Sequence, residues 1–395
     1  MKLLYTLTAY PPSMGGAQLF THALVQEVKR QSQVQVITLW DKNRTDWLMG
    51  TTLRVPEKSL DYEIDGIQVH RIGLSQREKW QIAPFVPIYY PLMDSAIPPI
   101  ATCLQQHLNT HATHSDLIHN VRIGREPLSF ASLQSARQHD IPFIFTPLHH
   151  RRWVGWRYRA YIRLYKMADA VIALTNVEKQ TLIEIGVQEE KIYVTGNGPI
   201  ISAQADPEKF RALNSIHGPF VLFLGQLYPY KGYKQTLEAA RLVWQRVPDV
   251  HFVFIGPSVG RSEIEFQALA DPRIHRLGKV DQQVKTDALA ACTLLCVPST
   301  QESFGGVYTE AWWFEKPVIG CSIPAVSEVI SDNVDGLLVE QNANQISERI
   351  CHLLLNPELM QRMGIAGRRK VEERYTWEKL AERTIAVYQK VCQSV

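Results

Sequence analysis

The chain of 395 residues is longer than one ordinary core and suits two domains of about 150 to 200 residues each. Hydrophobic residues make up 45% and charged residues 21%, and a net charge of +3 gives no case for wholesale nucleic-acid binding. Six scattered cysteines, Cys103, Cys292, Cys296, Cys321, Cys351 and Cys392, form no Cys-x-x-Cys pair, which predicts reduced core thiols in a cytoplasmic protein.

Residues 1–10 have the apolar character of a signal peptide, but the run is short, carries one positive charge and leads into Pro11-Pro12-Ser13-Met14-Gly15-Gly16. A first buried strand is the better reading. No later stretch has the roughly 18 uninterrupted apolar residues of a membrane span, so any membrane contact is expected to be peripheral.

Short apolar runs then alternate with amphipathic ones. Strands are predicted over 3–7, 34–39, 67–71, 117–120, 143–145, 170–174 and 192–194, with helices over 18–30, 125–138 and 177–185. Residues 84–99 read as a Pro-rich apolar loop and 196–219 as a linker. The second half predicts strands over 220–224, 250–255, 274–277, 293–297, 318–320 and 336–339. Helices are predicted over 234–246, 264–270, 284–291, 304–314 and 325–331, with amphipathic helices from 345 onward. Strands separated by crossover helices imply α/β architecture, here two doubly wound, Rossmann-like domains.

The run Val297-Pro-Ser-Thr-Gln-Glu-Ser-Phe-Gly-Gly-Val-Tyr-Thr-Glu310 sets Glu302 and Glu310 around a glycine-bearing turn that opens a helix. Phe304, Gly305, Gly306 and Val307 stand at that helix start, where free backbone N–H groups favour an anion. Were all eight steps helical, the two glutamates would lie ~12 Å apart, a span suited to gripping opposite ends of a long ligand. The run resembles the Glu-x(7)-Glu motif of the retaining GT-B glycosyltransferases, family-four type (glycosyl transferases group 1).

The resemblance implies two domains facing a cleft. The acceptor side would be 1–200, with the last helix (377–395) returning to it, and the nucleotide-sugar side 201–376. It also assigns roles. Gly225-Gln226-Leu-Tyr-Pro-Tyr-Lys231-Gly232 matches the phosphate-clamp turn, with Gln226 where the family usually has Arg. Lys231, Gln226 and the amides of Gly305 to Val307 would hold the diphosphate, Glu310 the ribose, and Val280 the base through its main chain. Gly15 and Gly16 would form the N-domain side of the donor site. Glu302 and a histidine of Thr146-Pro-Leu-His149-His150 would face the transferred hexose, His149 being preferred over His150. Glu315 stands where a glycine is usual, and 322–328 lacks the usual glycine pair.

Between Arg151 and Lys166 lie six Lys or Arg residues, no acid and five aromatics, Arg151, Arg152, Trp153 and Trp156 among them. Read as one helical segment, this suits anionic lipid headgroups or a phosphorylated acceptor, or else a solvated helix with its aromatics packed inward. No metal-ligand spacing occurs, and His111 and His114 read as surface residues. The expectation is a retaining, metal-independent hexosyltransferase. It would need no cofactor beyond a nucleotide diphosphate sugar as co-substrate, act on a sugar or lipid-linked acceptor, and work in the cytoplasm or at the inner face of the membrane. A nucleotide-sugar-binding protein and a GT-B epimerase are the alternatives.

Overall fold

The computed structural model describes residues 1–13, 15–39, 47–150, 153 and 155–393. The chain divides into two compact units, Met1–Gly196 with Trp377–Val395, and Asn197–Thr376.

The first unit holds β1 (Lys2–Thr6), β2 (Gln33–Thr38), β3 (Leu60–Ile64), β4 (Ile67–Arg71), β5 (Leu117–Val121), β6 (Phe143–Thr146), β7 (Ala170–Ala173) and β8 (Ile192–Val194). The sheet order is β3-β4-β2-β1-β5-β6-β7-β8, parallel except for the β3/β4 hairpin. Central strands covered on both faces read as continuous apolar runs, which is why β1 was plain in the sequence. β5 is fully buried yet carries His119 and Asn120. Such groups are tolerated inside only when bonded. Asn120 Nδ2 donates to Thr6 O at 2.9 Å, and His119 contacts Thr146 Oγ1 at 2.7 Å and Tyr388 Oη at 2.6 Å. Tyr388 also meets Tyr5 Oη at 2.5 Å, so the helix Trp377–Cys392 is bonded into the first sheet.

Two sequence readings in this unit need revision. β3 was missed, although Asp65-Gly66, both at positive φ, is the hairpin signal that closes it against β4. Residues 84–99 are not a loop throughout: a helix runs Met93–Ala112 with Pro98 and Pro99 inside it. An interior proline costs ~3 kcal/mol. Met93, Ile97, Ile100, Leu104 and Leu108 form a buried stripe, each large apolar side chain contributing about 1.5–3 kcal/mol, and the stripe wins.

The second unit holds β9 (Phe220–Leu224), β10 (His251–Ile255), β11 (Ile274–Gly278), β12 (Leu294–Val297), β13 (Val318–Cys321) and β14 (Gly336–Val339). Its order is β11-β10-β9-β12-β13-β14, all parallel. The expected linker, 196–219, contains a helix, Pro207–Leu213. What read as loop composition is helix punctuation. Asp206 caps by accepting from Lys209 N at 3.0 Å, Pro207 takes the first turn, and Phe210 packs on Phe220. Five of the six cysteines are buried, and all are free.

In each sheet the chain builds outward on one side and then returns to the other side of its first strand. The reversal falls between β1 and β5 in the first unit and between β9 and β12 in the second. Ligands of such folds bind at the carboxyl ends of the strands flanking that point.

Glu315 has φ +54°, a left-handed conformation that disfavours side chains by roughly 1–2 kcal/mol. This is the position where a glycine was expected. Relief of that strain should outweigh glycine's added chain entropy, so Glu315→Gly should stabilise the second unit by roughly 0.5–1 kcal/mol. A urea-midpoint comparison checks it, and a destabilised variant would show that the Glu315 side chain holds the turn.

Candidate active site

The loops leaving β9 and β12 are bonded into one structure. Thr300 N donates to Tyr230 O at 2.9 Å, and Gln341 Nε2 donates to both Tyr230 O and Pro298 O at 2.8 Å. Within this frame Lys231, closing the 3-10 turn Pro229–Lys231, donates from Nζ to Glu302 Oε1 at 2.5 Å. The pair is largely covered, at 21% and 10% side-chain exposure. The two residues, expected to address the phosphate and the sugar separately, are therefore in direct contact.

Past Glu302 the chain turns through Gly305 at φ +86° and enters the helix Gly306–Trp313. A β-carbon at Gly305 would strike the ring of Tyr308, whose Oη donates to Val297 O at 2.7 Å and pins the helix to β12. One at Gly306 would sit 2.7 Å from Asn197 Nδ2. Gly305 is thus required by its backbone angle and close packing, whereas at Gly306 the end of the Asn197 side chain can move aside. No side chain caps this helix and no acid lies in its first turn, which leaves the amide end available to an anion. Because the helix begins only at Gly306, the eight-step helical spacing assumed between Glu302 and Glu310 does not apply. Phe304 is buried, edge-on to Tyr375 at 5.2 Å.

Glu310 is 5% exposed. Its Oε1 accepts from Lys285 Nζ at 2.8 Å, and the same ammonium donates to Ile200 O at 2.6 Å. Burial pushes the Glu310 carboxyl above its usual range, against the pull of Lys285 and the Ile200 amide. Its Oε2 is buried without a hydrogen-bond partner. Lys285 was not singled out from the sequence. It lies on the helix Gln282–Ala291, capped by Asp281, and nothing local to that helix announces a pairing 25 residues away. Gln226 is exposed and Val280 half-buried in the turn before that helix.

In the first unit Gly15 is the N-cap of Gly16–Val28, again with no side-chain cap. His149 follows β6 and is 4% exposed. Its N–H donates to Glu178 Oε1 at 2.6 Å, and its Nδ1 meets Tyr165 Oη at 3.2 Å. Burial, together with the Arg122 and His150 charges, lowers the imidazole to about 4, so it is neutral at pH 7. Glu178 is pushed up to about 7 by burial. His150 is half-buried, edge-on to Trp153 at 4.4 Å.

The basic segment is not one helix. The helix spans only Arg159–Met167, after a 3-10 turn Trp156–Tyr158 that Gly155, at φ +92°, separates from Trp153. Tyr161 and Tyr165 are buried, whereas Trp156 is 53% exposed. Arg151 and Arg152 lie outside the described residues. His114 is exposed, but His111 is half-buried with Nδ1 on Gln35 Oε1 at 3.0 Å. Among the described residues no three His, Cys, Asp or Glu side chains gather as a metal-ligating group.

Lys285→Met should expose what this ammonium does. With the opposing charge gone, native Glu310 binds its proton at higher pH than unfolded Glu310, so stability falls as pH rises through the raised value. The deficit against the parent should be about 3–5 kcal/mol at neutral pH and shrink on acidification. Urea midpoints across pH 5 to 8 measure it. A deficit independent of pH would contradict the pairing.

Comparison with known proteins gives the family and the fold. Residues 206–370 match the family described as Glycosyl transferases group 1, and residues 15–198 match the Glycosyl transferase 4-like domain. The alpha-maltose-1-phosphate synthase of Mycolicibacterium smegmatis is 26% identical over 250 residues, covering 57% of this chain and 64% of that protein. The chain spans less than two thirds of the length of the curated relatives it matches, 44% to 64% in such cases. Among solved structures, Anabaena HepE in complex with UDP and glucose aligns with a TM-score of 0.72 at 19% identity, over 100% of this chain and 99% of that one. The sucrose-phosphate synthase of Thermosynechococcus elongatus aligns with a TM-score of 0.73 at 18% identity, over 100% of both. The fold is GT-B. With both halves matched in order by the two family domains, the chain belongs to the group 1 glycosyl transferases.

Proposed function

We propose that the protein moves a hexose from a nucleotide diphosphate sugar to an acceptor hydroxyl with retention and without a metal ion. One observation carries this reading. At the switch point of the second sheet, a lysine, a carboxylate and an uncapped glycine-opened helix converge, beside a buried glutamate with a vacant acceptor oxygen. Lys231 and the Gly306 and Val307 amides receive the diphosphate, neutralising the charge that grows as it leaves. Glu310, oriented through Oε1 by Lys285, accepts a ribose hydroxyl at Oε2. Glu302 and neutral His149 orient the hexose, and Gly15 and Gly16 complete the donor contacts.

The anomeric carbon–oxygen bond to the diphosphate breaks while the acceptor oxygen bonds on the same face, its proton passing to the departing phosphate oxygen. A covalent glycosyl enzyme would need a carboxylate free to attack, and Glu302 is tied to Lys231. UDP and glucose bound in Anabaena HepE support nucleotide-sugar use.

A lipid-linked acceptor reached by peripheral contact with an anionic membrane is proposed from the first unit. Leu92 and Trp156 are each 53% exposed, and Arg159 donates to the carbonyls of Tyr90, Pro91 and Trp156, tying the two segments together. No described helix is long and apolar enough to cross a membrane.

With labelled UDP-, GDP- and ADP-hexoses, one donor should be consumed in EDTA with release of its nucleoside diphosphate. Lys231→Ala should lower turnover about 10²-fold or more, and Glu302→Gln should lower turnover with donor affinity kept. Because the two side chains touch, the double variant should fall short of the product of the single losses. Strict dependence on Mg²⁺ or Mn²⁺, or free epimerised sugar as product, would overturn the reading.

Sedimentation with phosphatidylglycerol vesicles tests the membrane contact. Binding should be lost at high salt and weakened in Trp156→Ser/Arg157→Ser, each cation near an anionic surface contributing about 1 kcal/mol. No binding at low salt would make this face a solvated surface only.

A further inference from the structure

The first unit has a buried arginine with unbonded N–H groups at its own switch point. Arg122 follows β5 directly, in the turn Arg122-Ile123-Gly124-Arg125 that leads into the helix Glu126–Gln138. Gly124, at φ +87°, lies against Thr8, and Thr8 Oγ1 donates to Ile123 O, so the turn is bonded to the loop leaving β1. Only 8% of Arg122 is exposed. Its guanidinium stacks 4.0 Å from the Trp153 ring and 3.9 Å from the Tyr161 ring. Tyr161 also hydrogen-bonds this side chain, and the in-plane N–H groups that remain are the ones open to another partner. There Nε and Nη1 are buried with no partner, and Arg125 Nε is in the same condition. The neighbouring Glu126 carboxyl attracts both guanidinium groups electrostatically but does not bond to them directly. Glu126 Oε2 accepts from Tyr89 Oη, while its Oε1 is also unpartnered, and no ion pair joins Glu126 to either arginine among the described residues. Arg125 is the N-cap of that helix and no side chain caps it.

A buried guanidinium with unbonded N–H groups and no carboxylate in direct contact is costly, and an anionic ligand offsets that cost. Two guanidinium forks fit a tetrahedral oxyanion with several acceptor oxygens. We propose that Arg122 and Arg125 bind a phosphate group carried by the acceptor, so that the acceptor is a phosphate ester and not a free sugar. The inference rests on the transferase reading only for the word acceptor. β5 and β6 are neighbours, which places Arg122 and His149 at the carboxyl ends of adjacent strands. A phosphate held there sets the rest of the acceptor beside that histidine.

Titration calorimetry without donor tests this, using inorganic phosphate, glucose 6-phosphate, geranyl diphosphate and glucose as probes. Wild-type protein should bind the phosphorylated probes and not glucose. Arg122→Gln and the less buried Arg125→Gln should each weaken that binding about tenfold or more, with Arg122→Lys intermediate. Affinity for nucleoside diphosphate should be unchanged in all three, which also shows that the variants fold. Preference for glucose 6-phosphate marks a soluble sugar phosphate, and preference for geranyl diphosphate a lipid-borne one. No binding of any phosphorylated probe, or equal binding by wild type and both Gln variants, overturns the proposal. If phosphate binds through Arg122 but no nucleoside diphosphate binds at all, the transferase reading fails and the phosphate site stands.

Discussion

The organising constraint is the reversal of winding direction within each parallel sheet. Where the chain leaves two neighbouring strands toward opposite sides, their exit loops diverge and leave a crevice at the carboxyl edge. In the second unit the Lys231–Glu302 contact spans that crevice from the β9 loop to the β12 loop. The contact does not hold the loops in place by itself. Thr300 and Gln341 fix them through backbone carbonyls, so the ion pair can open for a ligand while the frame stays.

The two units handle buried charge differently. In the second, each carboxylate at the candidate site has a lysine: Lys231 for Glu302 and Lys285 for Glu310. In the first, Arg122 packs on two aromatic rings, and among the described residues no carboxylate pairs with it directly, Glu126 acting only through space. Desolvating an ion costs several kcal/mol, so a directly paired site is poised without ligand, whereas Arg122, with two N–H groups unbonded, gains more from an anion. Neutral His149, held by Glu178 through its backbone N–H, lies close enough to Arg122 for that charge to depress its pKa.

Much of this was legible in the sequence because parallel strands buried on both faces announce themselves as apolar runs, and because Gly305-Gly306 between Glu302 and Glu310 marks a helix start that an anion can approach. What escaped shares a cause. The Met93–Ala112 helix was hidden by Pro98 and Pro99, whose local penalty is outweighed by tertiary burial. The Pro207–Leu213 helix was hidden because its Asp-Pro start is also loop vocabulary. Lys285 and Arg122 were missed because each owes its significance to residues distant in sequence. Glu310 is 25 positions from Lys285, and Tyr161 is 39 from Arg122. The Asp65-Gly66 hairpin signal, by contrast, was present and readable.

The most direct test of the central claim, that the β9 and β12 loops hold the nucleotide end of a donor, is calorimetric titration with UDP, GDP and ADP of the parent protein and Glu310→Ala. The account predicts that one of the three binds the parent at one site per chain and that the variant loses at least about tenfold in affinity, the scale of one charge-assisted hydrogen bond. Failure of all three to bind the folded parent, or equal affinity in Glu310→Ala, would contradict it.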